Sequence, residues 1–600
     1  MSRRILLIEP GYRNKYPPMG LMKLATYYRT RGDDVRFWKG DLKLFAARLL
    51  CEEFLGRCEG IRLGKHVPSL IAYIRTGKYA YLESIPGFMG SELQGLLKEY
   101  RIRYQKEQFP LFDIVAVTTL FTFYWKKTIE TINYAKKFCS SSGEVIVGGI
   151  AATILREKVH EETGIMPHCG LLDRPGILDG DTDVIVDELP LDYSILEEID
   201  YEYPAKDCYL AYMTRGCPRT CRFCAVPKLE PEFKHYVSIR QQIETTDERY
   251  GPKRDLLLMD NNVLASEQFE RIVEEIKECG FARGARYIPS SEYDIALKNL
   301  ADGYNVRAFT RKIIKLYDLL ALRLPEHEQA RFYLEREARG LLYVEDAEPN
   351  EIINFDSFVR PLYERHFKRV ERMRIIDFNQ GVDARLLNEG TMEKLAELNI
   401  RPLRIAFDHY GMRDVYDRAI RMAVKYGITD LSNYLLYNFE DTPDDLYHRM
   451  KLNVDLCDEL DVTIYSFPMK YHPIDDPRYF GNRDYIGKHW NRKFIRAIQA
   501  VLNATKGKIG RGKEFFEEAF GASLDEFHKI LWMPEAFIIH RLKYKDNLTV
   551  EWWEKYQGLS SSQKRVLHMI VGKSTTKAFL TKSGDQAVDD VLSYYRIQRD

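Results

Sequence analysis

The run Thr214-Arg215-Gly216-Cys217-Pro218-Arg219-Thr220-Cys221-Arg222-Phe223-Cys224 closes an apolar stretch, Tyr209 to Thr214, that reads as a strand. It gathers three thiols on one short loop and supplies no fourth. Cys208 sits at the far end of the same strand, roughly 20 Å away at about 3.3 Å per extended residue. Cys279 belongs to a helical stretch well downstream. A four-iron cubane normally takes four cysteine thiolates, one for each iron. Three ligands leave one iron open, and an open position turns a structural metal site into a reactive one. Zinc fits less well, because its sites usually combine two Cys/His pairs and no second pair lies nearby. Cys221 and Cys224 do have C-x-x-C spacing, so a redox pair remains an alternative.

Downstream of this loop, apolar runs end in polar residues at a steady pace. Leu256–Met259 ends in Asp260-Asn261-Asn262, Arg374–Phe378 in Asn379-Gln380-Gly381, and Leu403–Phe407 in Asp408-His409. Tyr434–Tyr437 ends in Asn438, and Val462–Phe467 in Pro468. Asn379, Asp408, Asn438 and Pro468 follow one another at intervals of 29, 30 and 30 residues. That is the length of one strand–helix unit. Six such strands predict a partial (β/α)6 barrel of the TIM type, with its chemistry at the carboxyl ends of the strands. From Asp260 to Asn379 the interval is 119 residues, so the second unit carries a helical insertion at about 281–370. It is expected to emerge from the catalytic end of the barrel and to form a substrate-gripping lid, against the alternative, read from its mixed charges, of a solvated helical face.

The pattern C-x-x-x-C-x-(aromatic)-C after a strand, with Phe223 in the aromatic slot and Ala225-Val226-Pro227 following, resembles the signature of the radical S-adenosylmethionine (SAM) superfamily. The resemblance implies a [4Fe-4S] cluster on Cys217, Cys221 and Cys224, with SAM chelating the open iron. An electron from the reduced cluster then cleaves SAM to a 5′-deoxyadenosyl radical, which abstracts hydrogen from a substrate that the sequence does not name. Gly216 and Pro218 would shape the loop. The resemblance also assigns cofactor contacts. Backbone near Phe223 would meet the adenine. Asp260 and Asn261 stand where the family has a glycine-rich element receiving the methionyl amine, although the glycines are missing here. Asn379, Gln380 and Asp383 suit ribose hydroxyls, and Arg385 suits the SAM carboxylate. An internal Asp383–Arg385 salt bridge is the competing reading. Asp408 and Asn438 would face SAM or substrate. Glu440–Asp445 reads as a helix N-terminus rather than a metal site.

Before the barrel, Arg4–Pro10, Phe112–Thr119 and Glu144–Gly149 read as buried strands, with helices at Leu21–Arg31 and Trp125–Phe138. That alternation predicts a doubly wound parallel sheet over residues 1–186, interrupted by an insertion at about 51–110. Tyr16-Pro17-Pro18-Met19-Gly20-Leu21, Gly32-Asp33-Asp34-Val35 and Val147-Gly148-Gly149 resemble the cobalamin-binding domain that precedes many radical SAM cores. The D-x-H-x-x-G signature of that domain is missing, and no histidine occurs before His66. Cobalamin therefore stands beside the alternative of a Rossmann-like domain that binds no corrin. Residues 187–206 read as a linker, 207–479 as the radical SAM barrel and 480–600 as a helical C-terminal domain. In that last segment a basic, glycine-rich stretch at 506–513 does not match a P-loop.

The 600 residues are too many for one core and predict several domains. Lys+Arg and Asp+Glu both number 89, so no global basic field gathers nucleic acid, although a local groove is compatible with that sum. No run approaches eighteen apolar residues, so no membrane span is expected. Ten scattered cysteines form no disulfide framework, which fits a reducing cytoplasm. The resemblance implies a reductant partner such as flavodoxin or ferredoxin. The favoured function is thus a radical SAM enzyme. The runner-up is a cobalamin-dependent radical SAM methyltransferase, and an iron–sulfur electron carrier or structural metal protein comes last.

Overall fold

The computed structural model describes residues 2–597 apart from 59, 181, 481, 483, 508, 510, 511 and 574–580. Three residues of the basic stretch at 506–513 (Lys508, Gly510 and Arg511) thus lie outside the described residues. The fold is mixed α/β, with parallel sheets and many helices. Strands β1 (Arg4–Glu9), β2 (Asp34–Lys39), β3 (Phe112–Thr119) and β4 (Cys139–Gly149) form a parallel sheet in the order β2-β1-β3-β4. The unbroken apolar run of β1 is explained by burial on both faces. Ile5 and Leu7 enter one core, while Leu6 and Ile8 enter another. β2 was not expected, because Arg36 and Lys39 break its apolar pattern. Both charges are neutralised in place. Arg36 grips Glu52 through two hydrogen bonds at 2.7 and 2.5 Å, and Lys39 Nζ donates to Glu9 at 2.8 Å. Helices Val67–Thr76 and Glu92–Gln105 of the 51–110 segment extend the core on the Leu6 face.

The rest of the chain opens with β5 (Cys208–Ala211) and β6 (Asp255–Leu258). After them come β7 (Arg286–Tyr287) and β8 (Arg372–Met373), an antiparallel ribbon, and then β9 (Ile376–Phe378). β10 (Leu403–Arg404), β11 (Asp430–Tyr437) and β12 (Thr463–Lys470) complete the strands. β5-β6-β9 and β10-β11-β12 are two parallel sheets. Parallel bridges at Ile376–Ile400 and Val382–Ile405 join them. The Val382 N–H donates to the Arg404 carbonyl at 2.8 Å across this seam. Helices such as Arg413–Lys425 and Pro443–Leu460 bury one face against these strands. The latter helix starts at a capping box between Thr442 and Asp445, as its acidic N-terminus predicts.

The insertion does not leave the end that carries the cysteine loop, which corrects the lid expectation. β6 first runs on into the helix Phe269–Ile276, which returns the chain to the amino ends of the strands. There Ala282 bridges Leu398, just before β10, and the Arg283 N–H donates to Glu397 at 2.8 Å. The chain comes back at the same end, where the Arg374 N–H bonds Ala285 at 3.0 Å. Its helices (Glu292–Ala301, Val306–Ala321, Glu326–Arg339 and Pro349–His366) close a core of their own. Arg307 pairs with Asp34 at 2.9 Å and Lys312 with Glu197 at 3.1 Å, fixing the insertion to β2 and to the segment 187–206. C-terminal helices from Arg492–Ala504 onward pack around Trp490 and Trp552, both buried. Among the described residues no helix is long and apolar enough to cross a membrane.

Candidate active site

The cysteine loop leaves the carboxyl end of β5 through Gly216, whose φ is +71°. A Cβ there would lie 2.3 Å from the Glu232 carbonyl oxygen, so only glycine fits. Glu230 accepts from the Gly216 N–H at 2.7 Å and pairs with Arg215 at 3.2 Å, while Arg215 also reaches Asp187 at 2.9 Å. A turn from Cys224 N–H to the Cys221 carbonyl, at 3.0 Å, folds the second half of the loop. All three thiols are half-buried. N–H groups already point at two of them. Cys217 Sγ accepts from the Arg219 backbone at 3.5 Å and from Asn262 Nδ2 at 3.6 Å, and Cys224 Sγ from the Val226 backbone at 3.4 Å. Such N–H···S contacts are the outer shell that a thiolate-bound cluster uses. Among the described residues no three His, Cys, Asp or Glu side chains converge tightly enough for a single metal ion. A cubane asks for something else, since each thiolate serves a different corner. The donor set fits a multi-iron cluster with three protein ligands. Cys208 is buried at the far end of β5, its thiol pushed up to about 12 by burial, and it supplies no fourth.

Burial raises the Cys221 and Cys224 thiols, and the Asp408 carboxylate adds to the effect at Cys221. Asp408 itself is half-buried and held up by burial, and its charge is felt at Cys221 of the loop. Phe223 packs edge-to-face on Phe439 at 5.9 Å. Asn261 reaches Glu230 at 3.3 Å, beneath the loop. Asp383 accepts from Arg385 at 2.7 and 3.0 Å and also from Arg219 of the cysteine loop. The internal salt bridge foreseen as an alternative is therefore present, and it extends to the loop. Asn379 Oδ1 accepts from the Tyr16 hydroxyl, which arrives from the loop after β1. Gln380 is exposed next to it.

Two expected cofactor contacts are corrected. Asp260 is only 3% exposed, and its Oδ1 accepts from the backbone of Met213 and Thr214 and from Thr214 Oγ1. Through that oxygen it braces the strand end that launches the cysteine loop. Asn438 is fully buried with φ +67°; its amide donates to Tyr471 and Tyr485 carbonyls at 3.2 and 3.0 Å and accepts from Gly487 at 2.8 Å. Its side chain is consumed in tying three backbone segments together.

The strand face turned away from the helices carries residues that sequence reasoning passed over. On β12, Ile464 and Ser466 face the helix Pro443–Leu460, where Ser466 Oγ bonds Asn453 at 3.0 Å. Alternation turns Tyr465, Phe467 and Met469 to the other side, each about half exposed. Opposite Phe467 on β11 stands Tyr434, whose hydroxyl donates to the Asn379 carbonyl at 2.9 Å. Arg404 lies 5.8 Å from both rings, its charge matched by Asp377 at 2.7 and 2.8 Å. The i, i+2, i+4 pattern of large apolar residues on β12 was the available signal.

No protein-family model and no curated protein matches the chain. Among solved structures it is similar to a radical S-adenosylmethionine methyltransferase, TsrM, from Kitasatospora setae with cobalamin and [4Fe-4S] cluster bound. The two share 12% identity over 84% of this chain and 79% of that one, with a TM-score of 0.37. The same enzyme with tryptophan substrate and a SAM analog (aza-SAM) bound matches at 12% identity over 83% and 77%, with a TM-score of 0.36. A likeness this distant carries no argument by itself.

Proposed function

We propose that this chain is a radical SAM enzyme in which Cys217, Cys221 and Cys224 hold a [4Fe-4S] cluster. The observation that carries the reading is the three-thiol loop at the carboxyl end of β5, with N–H donors on two sulfurs. In this reading residues 1–186 are a Rossmann-like, doubly wound domain and 187–206 a linker. Residues 207–479 are a partial (β/α)6 barrel with a helical insertion at about 281–370, and 480–600 are a helical domain. The parallel orders β5-β6-β9 and β10-β11-β12, with bridges across the seam, support one continuous arc.

A reduced cluster held by Cys217, Cys221 and Cys224, with SAM bound to it, would supply radical chemistry for hydrogen abstraction from a substrate, the electron coming from an external reductant. The chain's own part is positional. Gly216 and Glu230 fix the turn that presents the sulfurs. Asp383 holds Arg385 beside the loop, where the exposed part of its guanidinium suits the SAM carboxylate, and exposed Gln380 suits a ribose hydroxyl. Tyr465, Phe467 and Met469 offer an apolar wall that keeps water from a reacting carbon. An external reductant of the flavodoxin or ferredoxin type and a reducing cytoplasm suit such a cluster.

One observation favours a second reading, cobalamin-dependent methyl transfer. The carboxyl ends of the two strand systems face each other. Tyr16 bonds Asn379, Trp125 packs on Phe480 at 5.4 Å, and the short helix Ile150–Ile154 after the Gly149 turn lies against Val226–Leu229 beside Cys224. A cofactor held over the first sheet would therefore stand above the cysteine loop. Protein produced with cobalamin and carrying a corrin absorption spectrum after desalting would select this reading.

The class itself is tested by anaerobic reconstitution and reduction with SAM present. The expected product is 5′-deoxyadenosine, lost in Cys221→Ala. Fully loaded protein that binds SAM yet never cleaves it, with any candidate substrate, would favour the electron carrier.

A further inference from the structure

The helices Arg413–Lys425 and Pro443–Leu460 cover one face of β10, β11 and β12. The opposite face is covered only in part. Tyr16, from the loop after β1, reaches over it to Asn379 and comes within electrostatic reach of Asp377 and Arg404. Beyond that point Tyr465, Phe467 and Met469 of β12 stand about half exposed. They form a wall about 13 Å long, at about 3.3 Å per residue. Tyr434 of β11 packs beside Phe467, with ring centres 6.0 Å apart. Among the described residues no strand pairs with the outer edge of β12, so the wall is open along that side. A contiguous exposed apolar set next to a candidate active site marks a ligand-binding groove. The charges bordering the wall are already matched. Arg404 donates to Asp377 at 2.7 and 2.8 Å and to Ser432 Oγ at 3.3 Å. The Tyr434 hydroxyl donates to the Asn379 carbonyl at 2.9 Å. Arg404 also lies 5.8 Å from the Tyr434 and Phe467 rings, where it fills the position that a ligand cation would take.

We propose that this wall receives an uncharged, apolar group of the substrate, and that Phe467, flanked by Tyr465 and Met469, sets that specificity. A charged group laid there would lose its water and find no free counter-ion among these side chains. An anion would meet an arginine already held by Asp377, and a cation would be repelled by that arginine. An apolar group loses nothing on leaving water and gains contact with three large side chains. The proposal names the substrate class for the radical SAM reading and rests on it for what becomes of the bound group, though not for the binding itself.

Ligand-observed NMR on the full chain, without reductant, tests the binding apart from any radical chemistry. The probes are indole and cyclohexanol, uncharged and respectively aromatic and aliphatic, with benzoate, benzylammonium and glucose for comparison. At least one uncharged probe is expected to bind saturably and about tenfold more tightly than the comparisons, and the tighter of the two tells an aromatic group from an aliphatic one. Phe467→Ser and Tyr465→Ser should each weaken that binding about fivefold, whereas Phe467→Leu should keep it. Both side chains are about half exposed, so the melting temperatures of the serine variants should stay close to that of the parent. Intact apolar binding in a loaded protein that never cleaves SAM would uphold this proposal and sink the radical reading. Uncharged probes that bind no better than the comparisons, or binding indifferent to both serine substitutions, would overturn it while leaving the radical reading standing. A dimer in sedimentation that Phe467→Ser disperses would also overturn it, because a second copy would then cover the wall.

Discussion

Asp260 holds the end of β5 with one carboxylate oxygen, while the other has no partner among the described residues. Burial pushes its pKa up to about 6 from an ordinary 3.8. The folded chain therefore keeps this proton where the unfolded chain has lost it. Its contribution is fully present below about pH 4 and is lost as pH rises to about 6. The loss is on the order of 3 kcal/mol, at about 1.4 kcal/mol per pH unit. Asp260→Asn keeps the accepting Oδ1 without the ionisation. Urea midpoints measured across this window should fall with pH in the wild type more steeply than in the variant. Parallel curves would show that the carboxyl ionises freely. In sequence, Asp260, Asn379, Asp408 and Asn438 look alike, each a polar residue after an apolar run. Only the fold separates Asp408, beside Cys221, from Asn438, which is used up by backbone partners.

Arg449 shows how one helix secures the strand ends that flank the site. It lies fully buried on the helix Pro443–Leu460 and donates to the carbonyls of Phe407, Asp408 and Leu436 and to the Asp441 carboxylate. Arg449→Met would strand a buried carboxylate and several carbonyls at the ends of β10 and β11. It should cost about 3–5 kcal/mol, the usual result of removing one partner of a buried pair. Chemical denaturation measures this directly, and a loss below about 1 kcal/mol would mean that water replaces the guanidinium. The apolar strand runs were legible because burial on both faces leaves little choice of residue. β2 was not, because Arg36 and Lys39 find their partners, Glu52 and Glu9, elsewhere in the chain. The exit of the insertion was misread for a similar reason. Its direction depends on whether a helix precedes it, and Phe269–Ile276 has too short a period to fix that from sequence.

Across the whole molecule, the first sheet and the later strand run meet through contacts such as the Tyr16 hydroxyl on Asn379. Tyr16→Phe removes that bond and should cost roughly 1 kcal/mol in urea denaturation. A loss of several kcal/mol would mean that the junction rests chiefly on this one hydroxyl. The cysteine triad was legible because spacing alone gathers three sulfurs on one loop. Tyr16, Asn262 and the apolar face of β12 were not, since each matters only once distant segments are brought together. The central claim is a cubane on three sulfurs with its remaining corner open to SAM. It is tested most directly by electron paramagnetic resonance of the anaerobically reconstituted, reduced protein, recorded with and without SAM. The account predicts about four irons per chain, a [4Fe-4S]⁺ signal whose g-values shift when SAM is added, and loss of that signal in Cys221→Ala. A four-iron signal indifferent to SAM, or a protein that holds only a single metal ion, would contradict it.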